Sequence, residues 1–207
     1  MYIPEFNRVE DRAVALAFMQ ASPFAILISI TDGGPFATHL PILAREVDGQ
    51  LQLRGHVAKA NPHWKCIKQD QESLVIFHGP HIYISPSWYQ TRENVPTWNY
   101  AAVHAYGTGT IFNTEEPLNQ LLQEMIAHFD SSYAEQWPTL SNQYRSRMLQ
   151  HIVGFEIHAT RVEAKFKLSQ NRTKGEQENV IQALASSPDS AAAAVAALMK
   201  LRGLGSP

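Results

Sequence analysis

Cysteine is nearly absent: Cys66 is the single one in 207 residues. One thiol cannot close a disulfide within the chain, which excludes a disulfide-stapled secreted scaffold and fits a reducing compartment. Cys66 lies in Trp64-Lys65-Cys66-Ile67 with no evident activating base, so packing competes with thiol chemistry there. Long hydrophobic runs are missing too. The longest, Phe24 to Ile30, is interrupted by Ser29 and falls far short of the roughly 20 residues of a membrane helix. Met1-Tyr2-Ile3-Pro4-Glu5-Phe6 lacks the basic region and apolar core of a secretory signal, so a cytoplasmic protein is expected. Neither sign of charge dominates. With 17 Lys and Arg against 19 Asp and Glu the net charge is -2, which excludes a broad electrostatic footprint on DNA and leaves at most a local patch. The chain has no Gly-rich dinucleotide fingerprint, no P-loop and no Gly-x-Ser-x-Gly.

What is present reads as strands first and helices later. Asn7-Arg8-Val9-Glu10 has the spacing of a capping box ahead of a helix that ends near Ser22-Pro23. Phe24 to Ile30 is rich in β-branched residues and stops at Asp32-Gly33-Gly34-Pro35, with a return strand expected over 36–45. Asp48-Gly49 supplies the next hairpin turn, followed by the alternation of Leu51, Leu53, Gly55 and Val57. Asn61-Pro62 is an N-cap with proline at the first helical position, which predicts a short helix towards Gln69. Further strands are expected over 74–77, 82–85 and 98–112, the last broken by Gly107-Thr108-Gly109. Leu118, Leu121, Leu122, Met125, Ile126 and Phe129 share one face of a helix that begins after Thr114.

A second helical stretch, over 143–150, leads into a long strand. There the apolar positions shift from odd (Val153, Phe155, Ile157) to even (Val162, Ala164, Phe166, Leu168), which predicts a bulge at Ala159-Thr160-Arg161. Thr173-Lys174-Gly175-Glu176 is another capping box, and an alanine-rich helix over 190–202 ends at Gly203. The order is that of a mainly β fold with peripheral helices (α+β), an antiparallel open or closed barrel.

Three segments could carry chemistry. Arg54, His56 and Lys59, with Asn61-Pro62, bring positive charge and a helix start to one strand end, which suits a phosphate monoester; a solvated loop is the alternative. Tyr83 to Tyr89 and Val95 to Tyr100 interleave aromatic residues with hydroxyls and an amide, as a flat heteroaromatic ring requires. Core or interface packing of Trp88 and Trp98 would account for them equally. Lys165 to Lys174 closes the last strand with cations and amides, donors for an anion or simply a solvated face. His39, His56, His63, His78 and His81 fall close together, but without an acidic or cysteine complement no metal site is expected.

Several motifs together resemble the PaiB-like family of FMN-binding transcriptional regulators. They are Met1-Tyr2-Ile3-Pro4, Ala37-Thr38-His39-Leu40-Pro41, Gly55-His56-Val57-Ala58-Lys59-Ala60-Asn61-Pro62, Phe77-His78-Gly79-Pro80, Tyr83-Ile84-Ser85-Pro86-Ser87-Trp88-Tyr89, Val95-Pro96-Thr97-Trp98-Asn99-Tyr100 and Lys167-Leu168-Ser169-Gln170-Asn171-Arg172. The resemblance implies an antiparallel split β-barrel over residues 1–172, of the pyridoxamine-phosphate-oxidase superfamily, with a C-terminal helical extension over 173–207. It further implies a homodimer with two FMN sites between subunits and negative regulation of transcription. DNA contact has no support from charge or motif. Carried over, Arg54, His56 and Lys59 hold the phosphate and ribityl side, with Thr38 and His39 beside them. Ser85, Trp88, Trp98 and Asn99 frame the ring, and Lys167, Gln170, Asn171 and Arg172 close the pocket. A small FMN-dependent oxidoreductase and a flavin-free or haem-binding module of the same fold are the competing functions; no catalytic residue is identified.

Overall fold

The structure, a computed structural model, describes residues 1–205; the end of the expected 173–207 extension lies outside them. A short strand β1 (Arg8–Val9) precedes helix α1 (Arg12–Ala21). The expected Asn7 capping box does not form. Asn7 is buried at the end of a 3-10 turn, and Asp11 caps α1, its Oδ1 accepting from the Ala13 amide at 2.8 Å. Because Arg8 and Val9 pair in the sheet, the first helical turn is pushed past them.

Strands β2 (Phe24–Thr31) and β3 (Gly34–Pro41) form the first hairpin, in register from Phe24 opposite Pro41 to Thr31 opposite Gly34. The expected return strand over 36–45 is divided: β3 ends at Pro41 and β4 (Leu43–Val47) begins after the buried Ile42. Asp48 and Gly49 have φ of 51° and 75°. Positive φ at both loop residues is the twist-matched two-residue hairpin turn, and it closes β4 onto β5 (Gln50–Ala58). The Asn61 side chain then accepts from the His63 amide at 3.0 Å, starting a 3-10 turn over Pro62–Cys66, shorter than the expected helix.

The strands expected over 74–77 and 82–85 are one strand, β6 (Ser73–Ile84), which runs through Gly79-Pro80. Proline forfeits one amide donor, but its fixed φ is compatible with extended chain, so the strand continues. Likewise β7 (Thr97–Phe112) is unbroken at Gly107-Thr108-Gly109. Helix α2 (Glu115–Phe129) buries Leu118, Leu121 and Met125, the face expected from their spacing. Such burial is worth roughly 1.5–3 kcal/mol per large apolar side chain. Helix α3 (Asn142–Leu149) leads into β8 (Ile152–Lys167), and α4 (Lys174–Ala185) and α5 (Ser190–Leu201) end the chain. Both halves of the Thr173–Glu176 capping box are present.

The strands form one antiparallel sheet in the order β3-β2-β6-β7-β8-β5-β4, with β1 added against β8. The chain divides into two compact units: unit 1 comprises Met1–Phe18, His78–Val103 and Glu163 onward, and unit 2 comprises Met19–Phe77 and His104–Val162. Strands β6, β7 and β8 pass from one unit to the other, and the change in β8 falls where its buried parity shifts between Ile157 and Ala164. Unit 2 packs around Leu27, Leu53, Phe77, Phe155 and Ile157; unit 1 packs around Ile84, Phe166, Leu168, Val180 and Met199. Helices α4 and α5 belong to unit 1. Among the described residues no helix is long and apolar enough to cross a membrane.

Candidate functional site

The candidate residues fall into two groups. Thr38, His39, Arg54, His56 and Lys59 lie in unit 2. Successive strand residues face opposite ways, and Thr38 and His39 obey this: Thr38 is half-buried, whereas His39 is exposed with its ring 6.5 Å from Phe24. Thr38 belongs to a buried hydrogen-bonded chain. Asn61 Nδ2 donates to Thr38 Oγ1 at 3.1 Å, and Thr38 Oγ1 lies 2.7 Å from His63 Nδ1. His63 Nε2 is 3.1 Å from Ser29 Oγ, which is 2.7 Å from Ser73 Oγ. The Asn61 amide can only donate here, so the Thr38 hydroxyl is free to donate to Nδ1, and His63 then donates from Nε2 to Ser29. Burial pushes the His63 imidazole below its ordinary pKa, which matches this neutral tautomer.

Arg54 was expected to bind phosphate. Instead it is 5% exposed and paired inside unit 2: Nη1 contacts Glu124, and Nε lies 3.2 Å from Glu156 Oε2, an ion-pair distance without hydrogen-bond alignment. His158 Nε2 is 3.0 Å from the other Glu156 oxygen. Two carboxylates neutralise the guanidinium, so Arg54 is a structural charge and is not carried forward as a phosphate ligand. His56, two residues on, is half-buried with Nδ1 unpartnered. Lys59 is exposed; its amide donates to His151 at 2.7 Å and its carbonyl accepts from Trp64 Nε1 at 3.1 Å.

The pKa directions of His56 and His63 give a testable pH dependence. Burial lowers both below 6.5, so the folded state takes up these protons less readily than the unfolded chain. Their contribution is intact above pH 6.5 and is lost as pH falls from there through the folded values. Urea midpoints are expected to hold steady from pH 8 to 7 and drop by pH 5.5, and His63→Gln should flatten part of that drop.

The second group, Ser85, Trp88, Trp98, Asn99, Lys167, Gln170, Asn171 and Arg172, lies in unit 1. Ser85 caps a 3-10 turn, accepting from the Ser87 amide at 3.2 Å, and Trp88 is half-buried, its carbonyl accepting from Asn179 at 3.2 Å. Trp98 is 52% exposed, its ring 6.1 Å from the edge-on Tyr83 ring and 6.2 Å from His81. Asn99 points the other way, fully buried, its Nδ2 3.0 Å from Ser169 Oγ. Gln170 is occupied locally, bonding the Leu168 amide and the Phe166 carbonyl.

Asn99, Lys167, Asn171 and Arg172 are brought together around one hollow of about 190 Å³. Lys167 Nζ donates to the Trp98 carbonyl at 2.8 Å and to the Thr97 hydroxyl. Burial, and then the nearby Lys165 charge, push the Lys167 ammonium below its ordinary pKa. Arg172 Nη1 donates to Asn94 Oδ1 at 2.6 Å, with its guanidinium carbon 3.8 Å from the Tyr89 ring centroid. Tyr89, Val95, Pro96, Thr97 and Ser169 complete this lining; all five fall in the segments singled out from the sequence, though none is among the site residues carried over individually from the family. Period-2 alternation carries a further signal for Thr97, which shares a face with Asn99; Ser169 lies beyond the end of β8, where alternation no longer applies. Among the described residues no group of three His, Cys, Asp or Glu side chains is placed to hold a metal.

The solved structures of two flavoproteins match this sheet. The flavocytochrome Anf3 from Azotobacter vinelandii aligns with a TM-score of 0.62 at 16% identity, over 83% of this chain and 73% of that one. The FAD and heme binding protein from Mycobacterium smegmatis gives 0.61 at 12% identity, over 78% and 73%. The fold is the split barrel of flavin-binding proteins. Residues 1–161 match the family described as "Putative FMN-binding domain". The Bacillus subtilis (strain 168) protein "Protease synthase and sporulation protein PAI 2" is 38% identical over 203 residues, 97% of each chain. An uncharacterized Emericella nidulans protein is 32% identical over 98% of each. The chain therefore belongs to the FMN-binding, PaiB-like family, whose cofactor is FMN. Each unit, taken by itself, offers chemistry that suits part of that group. The orphaned, buried His56 Nδ1 and the exposed Lys59 ammonium suit a phosphate tail, and the exposed Trp98 indole suits the face of an aromatic ring.

Proposed function

We propose that the chain is a cytoplasmic, homodimeric negative regulator of transcription, with FMN held at the subunit interface as the signal it reads. The end-to-end match to PAI 2, 38% identical over 97% of both chains, carries this reading. The exposed aromatic pair Tyr83 (44%) and Trp98 supports a partner surface in unit 1. In this reading Lys59 and His56 take the flavin phosphate, with His39 beside them; in unit 1, Trp98, Trp88 and Ser85 keep the ring-framing role that the family resemblance gives them. When bound, FMN supplies redox and ring-stacking chemistry; the protein supplies charge, orientation and exclusion of water.

Lys59→Ala is expected to weaken FMN binding at least tenfold while leaving riboflavin, which has no phosphate, almost unchanged. Fluorescence titration with the two flavins measures both. In the host, that variant should derepress the same transcripts as deletion of the whole gene. Full repression by a Lys59→Ala protein that has lost FMN would reject flavin-coupled regulation, and equal loss of both flavins would reject the phosphate role of Lys59.

A further inference from the structure

Unit 1 holds a hollow lined by Asn99, Lys167, Asn171 and Arg172, residues that the family resemblance places around the flavin and that the proposed phosphate contact at Lys59 leaves free for another ligand. At about 190 Å³ it is smaller than the roughly 300–1,000 Å³ of sites for drug-sized molecules, so it admits a group of a few heavy atoms. Its lining includes two cations, Lys167 and Arg172, and no carboxylate. Tyr89 is 7% exposed and its hydroxyl has no hydrogen-bond partner among the described residues. A buried hydroxyl left unpaired is costly, and native proteins seldom leave one so without a ligand or water to meet it.

The donors are counted from the bonds already made. Lys167 Nζ has three hydrogens, two of them committed to Thr97 and the Trp98 carbonyl, which leaves one. Arg172 has five N–H donors, and one Nη1 bond goes to Asn94. Stacking on Tyr89 fixes the guanidinium plane beside the hollow. Ser169, held at φ 68°, adopts the left-handed region that non-glycine residues enter at a cost. Its hydroxyl and the buried Asn99 side chain bond each other, which pins the turn that follows Lys167 at the end of β8 and leads to Asn171. Desolvation and Lys165 disfavour the Lys167 charge; an anion in the hollow would offset both effects. The free hydrogens of one ammonium, one guanidinium and one phenol match an oxyanion.

We infer that this hollow binds a small oxyanion, the carboxylate or phosphate group of a second ligand that occupies the protein together with the flavin. The inference rests on the reading that the FMN phosphate is held by Lys59 in the other unit. Calorimetric titration of FMN-loaded protein with inorganic phosphate, and separately with oxalate, tests it in a buffer free of both. Saturable binding of at least one probe, one per chain and at millimolar concentration or below, is expected; the tighter probe names the class. Arg172→Gln should weaken that binding at least tenfold. Tyr89→Phe should weaken it several-fold, leave FMN affinity unchanged, and leave the anion-free protein as heat-stable as the parent or more so, since only an unpaired hydroxyl is removed.

No saturable binding of either probe overturns the inference, as does binding unchanged in both variants. Anion binding that FMN displaces also overturns it, because the hollow then belongs to the flavin tail. A chain that takes up no FMN rejects the cofactor reading instead, and the same titration on flavin-free protein then decides this one by the same criteria.

Discussion

Replacing Arg54 with alanine is expected to destabilise the protein by about 3–5 kcal/mol, the cost of removing one partner from a buried ion pair. The guanidinium contacts Glu124 of α2 and Glu156 of β8, and the part-exposed Arg45 reaches the same Glu124 oxygen more distantly, at 3.4 Å. Without Arg54 two largely buried carboxylates lose their buried cation, leaving Glu124 with only the part-exposed Arg45 and Glu156 with only His158. For a chain of this size the loss corresponds to a fall in Tm of roughly 6–20 °C. Urea and thermal unfolding measure it. The compensated variant, Arg54→Met with Glu124→Gln and Glu156→Gln, should recover most of the stability, because a buried ion pair is worth little more than well-packed neutral groups of similar volume. A change below about 1 kcal/mol, accompanied by a large loss of FMN affinity, would return Arg54 to the ligand set.

Gly107→Ala is expected to be as damaging. A Cβ at Gly107 would lie 2.1 Å from the His158 carbonyl oxygen and 2.9 Å from Ala159 Cα, backbone against backbone. Neither can yield without shifting β8, where His158 is itself registered against Gln52 of β5. Overpacking of a rigid core costs typically about 1–3 kcal/mol, and a backbone clash belongs at or beyond the upper end, so loss of about 3 kcal/mol or failure to accumulate as soluble protein is expected. Gly49→Ala is the control: nothing lies within 4 Å of its Cβ, so only the positive φ of 75° is penalised. Equal stability of Gly107→Ala and parent would show that β7 and β8 do not approach as described.

These two positions also show what the sequence made legible. Asp48-Gly49 announced a two-residue hairpin turn, and both φ values are positive as that turn requires. The parity shift along β8 was readable from Val153 to Leu168, because a half-buried strand writes its two faces into alternate residues. Gly107 and Gly109 were misread as a break. Locally a glycine pair weakens a strand, and only the neighbouring strand, absent from any local window, explains why no larger residue fits. Gly79-Pro80 was misread for a similar reason. At Asn7 a capping box was outcompeted by pairing of Arg8 and Val9 with Lys165 and Ala164, residues far away in sequence.

The candidate site was legible by segment rather than by side chain. The stretches 85–99 and 167–172 do contribute to one hollow. Trp98 and Asn99 were chosen together, though neighbours on a strand face opposite ways; one is exposed and the other fully buried. Arg54 was chosen for its charge, and its partner Glu124 sits on a helix seventy residues further on. Local reasoning cannot see that a charge is already neutralised. The buried chain through Asn61, Thr38, His63, Ser29 and Ser73 was invisible for the same reason: four separated segments supply it.

Equilibrium titration of the purified, flavin-free protein with FMN, followed by absorbance and by quenching of flavin fluorescence, tests the central claim most directly. Family membership predicts saturation at one FMN per chain, and the phosphate role proposed for His56 and Lys59 predicts riboflavin bound at least tenfold more weakly. A flat titration, or equal affinity for the two flavins, would contradict it.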